Sequence, residues 1–224
     1  MFFSKRSMEL ELIDLGPSHY SSEEYRDCLD KLNKVGKYLG GDHASFCAMQ
    51  QLSFSPASVL DVGCGGGGFT QKLGRFYKEA TVRGIDISHE AIISAQEHNR
   101  CPNVVFECRN LSEIPTKSYD IVISTLVCHH LSDADLIAFL KECLRVAKQK
   151  VIVNDLHRHP LAWLGFSLLA PILFKNRLIT HDGSLSVKRA FKRKDWRYYL
   201  QVLQVQGHLS WYWPFRWILT MDAQ

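Results

Sequence analysis

Six consecutive residues, Gly63-Cys64-Gly65-Gly66-Gly67-Gly68, hold five of the chain's 14 glycines. They follow the apolar run Ser58-Val59-Leu60-Asp61-Val62 and precede a helix-forming stretch from Phe69 to Tyr77. Glycines in that position let the backbone turn tightly and approach a ligand without Cβ interference. The helix start beyond them offers unpaired N–H groups to an anionic or polar group. Asp86 follows in Gly84-Ile85-Asp86, at the end of the next strand-like run. A carboxylate there can accept hydrogen bonds from both vicinal hydroxyls of a ribose. Two nucleotide templates overlap in the loop. Gly63, Gly65 and Gly68 satisfy G-x-G-x-x-G for a dinucleotide, while Asp61, Gly63, Gly65 and Gly67 satisfy D-x-G-x-G-x-G. Asp61 would be badly placed beside a pyrophosphate, because two like charges in a tight turn repel. Further along, His129-His130 offers imidazoles suited to proton transfer near neutral pH.

The elements that must position these residues alternate. Residues 19–50 read as helical, with Ser21 and Glu24 near the start and a break at Gly40-Gly41. Strand-like runs then fall at 58–62, 81–87, 103–107, 120–124 and 150–154, separated by helical stretches at 69–77, 88–99 and 133–145. Apolar strands alternating with helices predict a parallel sheet covered on both faces. The rhythm stops at residue 156, and 156–194 reads as an insertion. Residues 201–221, broken by Trp213-Pro214-Phe215, read as a final antiparallel hairpin closing the sheet.

Taken together, these motifs resemble the class I S-adenosylmethionine-dependent methyltransferases over residues 56–155. In that family the acid two positions before the first glycine faces the positively charged methionine part of the cofactor. The residue after the third strand bonds the adenine amino group, here Asn110-Leu111. Tyr119-Asp120-Ile121-Val122-Ile123-Ser124 with His129-His130-Leu131 looks like the fourth motif. The resemblance implies a Rossmann-like α/β fold with a seven-stranded, mostly parallel sheet. It places S-adenosylmethionine against Asp61, Gly63, Cys64, Gly65, Asp86, Ile87, Asn110, Leu111 and Ser124, with His129 or His130 as catalytic base or acceptor-binding group. The alternative for the histidine pair is that one caps the helix near Asp133 and the other packs in the core. Cys64 reads as a small residue that fits the loop. A weaker likeness extends through Asn154-Asp155-Leu156-His157-Arg158, His181-Asp182-Gly183, Ser186-Val187-Lys188-Arg189 and Trp213-Pro214-Phe215-Arg216 to bacterial methyltransferases grouped with quinone and polyketide pathways. It implies a small-molecule hydroxyaromatic, quinol or polyketide-type acceptor, bound beneath the 156–194 insertion.

Composition narrows the field further. The 224 residues are 46% hydrophobic and 22% charged, which suits one soluble domain and excludes disorder or low complexity. The division expected is an N-terminal helical cap (1–55), a cofactor core (56–155), an insertion or lid (156–194) and a closing helix end and hairpin (195–224). Seven cysteines without a C-x-x-C pair point to reduced thiols in the cytoplasm and away from structural zinc. The N-terminus lacks a signal-peptide h-region. Metal is not expected: Asp155, His157, His159 and His181 are secondary candidates, and Asp155 has no acidic neighbour in sequence. Net charge is only +4, too mild for a committed nucleic-acid binder. Between Lys175 and Arg197, however, eight basic residues face two acidic ones, which reads as a basic face on the substrate side. Arg158, Lys188 and Arg189 read there as solvated surface or as groups orienting an anionic acceptor. Residues 161–174 (LAWLGFSLLAPILF) are too short to span a bilayer and read as an acceptor lid, a membrane-surface contact or a buried helix. An RNA or protein methyltransferase and a non-catalytic cofactor-binding module are the competing readings.

Overall fold

A computed structural model describes residues 3–223. The chain begins with an irregular segment, then α1 (Ser22–Tyr38) and α2 (Gly41–Gln50). Ser21 caps α1 through the Glu24 amide, and Glu24 returns a bond to the Ser21 amide, so two orphan N–H groups are satisfied at once. The core follows as β1 (Ser58–Val62), α3 (Gly68–Phe76), β2 (Thr81–Asp86), α4 (His89–Glu97), β3 (Val104–Cys108), β4 (Tyr119–Thr125), α5 (Asp133–Val146) and β5 (Ala147–Leu156). Three helices come next: α6 (Pro160–Leu173), α7 (Arg177–Arg189) and α8 (Arg193–Leu203). The hairpin of β6 (Gly207–Tyr212) and β7 (Arg216–Asp222) ends the chain.

The sheet runs β3-β2-β1-β4-β5-β7-β6. β1 to β5 are parallel, and β7 is antiparallel to both β5 and β6. Strand order reverses at β1/β4, where ligands bind outside the carboxyl ends of such sheets. The continuous apolar strands fill two cores. Ile121, Ile123 and Ile152 pack with Ala44, Leu73 and Ile92 on one face, while Val122, Val151 and Val153 pack with Leu136, Leu140 and Trp196 on the other. A third cluster joins Tyr25, Cys28 and Leu29 of α1 to Leu178 and Ile179 of α7, over the carboxyl ends of the strands. Buried polar groups lock the layers: the Asn154 amide donates to the Gly41 carbonyl and Ser45 hydroxyl, and the Asp120 carboxylate accepts from the Ala57 and Ser58 amides.

Three expectations change. Residues 201–203 finish α8 and are not strand, because the strand-like apolar spacing there is the end of an amphipathic helix packed on α5 and β6. Residues 161–174 are not a buried helix: within α6 only Ala170 is buried, while Leu161, Leu164, Leu168, Ile172 and Leu173 are exposed. The basic run 175–197 does not form one face. Arg189 is buried, as is Arg158 before it, and Lys192 to Arg197 lie at the start of α8, which packs mainly on α5 and β6.

Candidate active site

The glycine loop connects β1 to α3 and needs its glycines for two different reasons. Gly63 has φ +74°, and a Cβ there would lie 2.3 Å from Val127 Cγ2. Gly67 has φ +72°, and its Cβ would lie 2.5 Å from the Phe106 ring. Left-handed backbone and absent space together exclude side chains. Gly63→Ala should therefore cost about 2–4 kcal/mol of stability, from left-handed strain plus overpacking. Denaturant unfolding checks this, and an alanine variant as stable as the parent would mean that the loop is not held in this shape.

Asp61, on β1 beneath the loop, is fully buried and accepts a 2.6 Å hydrogen bond from the Thr70 hydroxyl of α3. Burial pushes its carboxyl up to about 7, further than the Thr70 bond can draw it back, and the Asp86 charge adds to the rise. It is thus a buried acid whose ionisation a nearby cation would assist. Asp86 ends β2 with both oxygens engaged: the Gly65 amide donates to Oδ2 and the Ser88 amide to Oδ1, each at 2.9 Å. A carboxylate has about four acceptor sites, so capacity remains for two hydroxyls. Ile87, next along, is 79% exposed, an apolar side chain available to cover a flat ring. Leu111 is buried, while Asn110 is exposed and caps a short 3-10 turn by accepting from the Ser112 amide and hydroxyl. Ser124 commits its hydroxyl to the Val62 carbonyl, tying the tips of β4 and β1 beneath the loop. Cys64 is partly buried, and burial pushes its thiol well up, which suits a passive loop residue.

Beyond β4 a 3-10 turn, Cys128–His130, carries the histidines. Ser132, not a histidine, caps α5. His129 is buried and held on two atoms by Asp155 of β5: Nδ1 lies 2.7 Å from Oδ1, and its amide donates to Oδ2 at 3.1 Å. Burial raises the Asp155 carboxyl, but His129, the Leu156 amide and Arg216 outweigh it and hold the group below the usual carboxylate range. The acidic companion absent from the sequence neighbourhood comes from the N-terminal segment. Glu11 Oε1 lies 3.8 Å from His129 Nε2, and Glu11 Oε2 accepts from the Ser186 hydroxyl of α7. Burial pushes the Glu11 carboxyl up, against the pull of both histidines. His130 Nδ1 lies 2.7 Å from Asp14 Oδ1; although burial lowers the imidazole, Asp14 and Glu11 raise it overall.

Two basic residues of the supposed surface build this corner instead. The Arg189 guanidinium donates to the carbonyls of His129, His130 and Glu9. Arg158 donates to the Ala190 carbonyl and pairs with Asp195. Asp182 accepts from the Leu12 and Ile13 amides, docking the segment that brings Glu11. Short side chain-to-backbone links of this kind leave no periodic pattern, so Glu11 and Asp14 escaped the sequence reading. Of the secondary candidates, His181 pairs with Asp182, and His157 accepts from the Trp211 indole. Burial depresses His157 to about 4, which removes it as a base near neutral pH.

His129 and His130 open into a cavity of about 620 Å³. Its walls are Val35 and Leu32 of α1, the inner side of α6, Leu178 and Ile179 of α7, and the Trp213-Pro214-Phe215 turn. Leu126, just past the tip of β4, also lines it, which sets the cavity beside the glycine loop because β4 neighbours β1.

Residues 59–150 match a family model described as a methyltransferase domain. The ubiquinone biosynthesis O-methyltransferase of Neisseria meningitidis serogroup A / serotype 4A is 28% identical over 146 residues, 62% of this chain and 56% of that protein. The chain thus spans about half the length of the curated relatives it matches. Among solved structures, a SAM dependent methyltransferase from Aquifex aeolicus superposes with a TM-score of 0.67 at 16% identity, over 92% of this chain and all of that one. A plantazolicin methyltransferase in complex with a triazolic desmethylPZN analog and SAH gives 0.70 at 14% identity, over 94% and 92% of the two chains. These likenesses establish the fold.

Proposed function

We propose that the chain is a class I methyltransferase that transfers a methyl group from S-adenosylmethionine to a hydroxylated small molecule, a hydroxyaromatic, quinol or polyketide-type acceptor. The family match covers the cofactor half of the molecule, 59–150. The acceptor half rests on one observation: an apolar cavity whose polar end is the Asp155–His129 pair, beside the tip of β4.

S-adenosylmethionine, when bound, supplies the methyl group on a sulfonium leaving group. Asp86 would accept the ribose hydroxyls, Ile87 and Leu111 would cover the adenine with Asn110 at its edge, and Asp61 would face the cationic methionine part beneath Gly63, Cys64 and Gly65. Ser124 braces the strand tips below. Asp155, a carboxylate that only accepts, fixes the His129 proton on Nδ1 and leaves Nε2 free to take a proton from the acceptor hydroxyl. The apolar walls exclude water, and α6 with α7 would hold the acceptor in line. The outward leucines of α6 and exposed Trp213 at the cavity mouth support contact with a lipophilic acceptor or with the membrane surface carrying it. No described helix is long and apolar enough to cross a membrane. Seven free cysteines support a reducing, cytoplasmic setting.

The test is methyl transfer from labelled S-adenosylmethionine to a panel of phenols and quinols with and without alkyl tails. Tailed hydroxyaromatics should turn over best; no turnover of any member would sink the acceptor assignment. Asp61 adds a second readout. Its carboxyl titrates near 7 in the free protein, so a cation bound beside it should ionise it. Between pH 6 and 7 cofactor binding should therefore release a proton, visible by calorimetry in buffers of different ionisation enthalpy. Asp61→Asn should abolish that release, and proton-neutral binding by the parent would place the cationic group elsewhere.

A further inference from the structure

At the polar end of the cavity two acceptor atoms face each other. Asp155 can only accept, so the His129 proton lies on Nδ1 and a lone pair on Nε2. That lone pair faces Glu11 Oε1 at 3.8 Å. Glu11 is 2% exposed, and its Oε1 has no hydrogen-bond partner among the described residues. His130 differs in detail: its Nδ1 is held by Asp14 Oδ1 at 2.7 Å and lies 3.9 Å from Glu11 Oε2, so its Nε2 carries the lone pair when the ring is neutral. One donor atom from each of Glu11, His129 and His130 lies within 4.8 Å of the others. Buried acceptors left facing one another are costly, and a cation between them removes the cost.

The geometry points to a divalent transition-metal site formed by Glu11, His129 and His130 at the inner end of the acceptor cavity. Two imidazole nitrogens and one carboxylate suit zinc, manganese or iron(II) better than calcium or magnesium, which favour all-oxygen sets. Asp155 and Asp14 stand behind the rings on Nδ1, where carboxylates orient metal-binding histidines and raise their basicity. Arg189 also faces the cluster, 3.6 Å from Glu11 Oε1 and 3.3 Å from Asp14 Oδ2. Its hydrogen bonds, however, go to the His129, His130 and Glu9 carbonyls. Arg216 acts on Asp155 from the other side. A third guanidinium, Arg6, reaches the His129 and Leu131 carbonyls but pairs with Asp133, outside the cluster of Glu11, Asp14 and Asp155. Three protein ligands leave positions open toward the cavity, as in catalytic rather than structural metal sites. The same Nε2 cannot hold an ion and accept a proton, so ion binding and the base role of His129 exclude each other.

Ion binding is read on the full chain with neither cofactor nor acceptor present, so it stands apart from the proposed methyl transfer. Chelator-treated protein is titrated with zinc(II) alone, and with cobalt(II) for its visible absorption. One ion per chain is expected. Glu11→Gln and His130→Asn should each weaken binding by more than tenfold, and Asp14→Asn by about tenfold, the lower end for an outer carboxylate. Thermal melts identify any variant that fails to fold, and for Glu11→Gln the isosteric change keeps the Ser186 contact. Absence of stoichiometric binding in the parent, or undiminished binding in folded Glu11→Gln, overturns the site. Turnover by the metal-stripped protein separates the two readings. If it persists, the base reading survives; if it requires the ion, that reading fails and the metal site stands.

Discussion

His129→Ala is expected to slow methyl transfer to a hydroxyaromatic acceptor by about 10²–10⁴-fold, the usual contribution of a positioned base. S-adenosylmethionine affinity should stay within a few fold, because His129 lies past β4 on the cavity side and the ribose and methionine groups are assigned to β2 and β1. The argument for so large an effect is the pair of bonds from Asp155. One oxygen holds Nδ1 at 2.7 Å and the other holds the His129 amide, so ring and backbone are fixed together. A purely structural histidine would gain nothing from having its second nitrogen left free beside a substrate-sized cavity. Asp155→Asn should also slow transfer strongly, since its NH₂ must face either the His129 amide or Nδ1, opposing a donor or imposing the other tautomer, and it does not support the imidazolium charge. Single-turnover rates on chelated protein, beside calorimetric cofactor binding, check both variants. His129→Ala turning over within threefold of the parent would reduce the pair to a strut, leaving deprotonation to solvent or to another group.

The residues assigned to the cofactor could be grouped from the sequence because they are local. Asp61, the glycines and Asp86 lie within one strand–loop–helix–strand unit, and apolar runs mark the strands that bring them together. The continuous run Ile121-Val122-Ile123 could be placed between two helical layers because it has no polar face to give to water. The cluster around His129 was not legible for the opposite reason. Glu11 reaches His129 across more than a hundred residues, docked by Asp182 and Arg189 through backbone amides and carbonyls. Nothing in the spacing of Glu11 and Asp14 marks that bond pattern. Arg158 and Arg189 misled for a related reason: a basic residue in an insertion normally meets water, and these two are buried by satisfying carbonyls in a turn. The long apolar stretch of α6 announced burial, yet its outer leucines stay exposed beside the cavity mouth. Hydrophobicity alone does not distinguish a core helix from one that awaits a greasy ligand or surface.

Asp86→Ala should weaken S-adenosylmethionine binding by about 10²-fold or more. Each ribose hydroxyl bond to a charged acceptor contributes roughly 1.5–3 kcal/mol, and two are assigned to this carboxylate. Part of any loss will come through the loop, because Asp86 also accepts the Gly65 and Ser88 amides that shape it. The two contributions separate in a cycle that pairs the substitution with removal of a hydroxyl from the ligand. S-adenosylhomocysteine and its 2′-deoxy analogue are titrated into the parent and into Asp86→Ala. The parent should prefer the intact ribose by tenfold or more, and the variant should bind the two ligands nearly alike. Loop damage lowers both affinities together and leaves their ratio unchanged, so the coupling reports the ribose contact alone. Asp86→Asn should fall between, its remaining oxygen still able to receive the Ser88 amide while its NH₂ opposes one donor. A variant that keeps the parent's full preference for the 2′-hydroxyl would sink the assignment. The Gly65 and Ser88 bonds would then be the whole role of Asp86, and the nucleoside would have to be held by some other group at the end of β2.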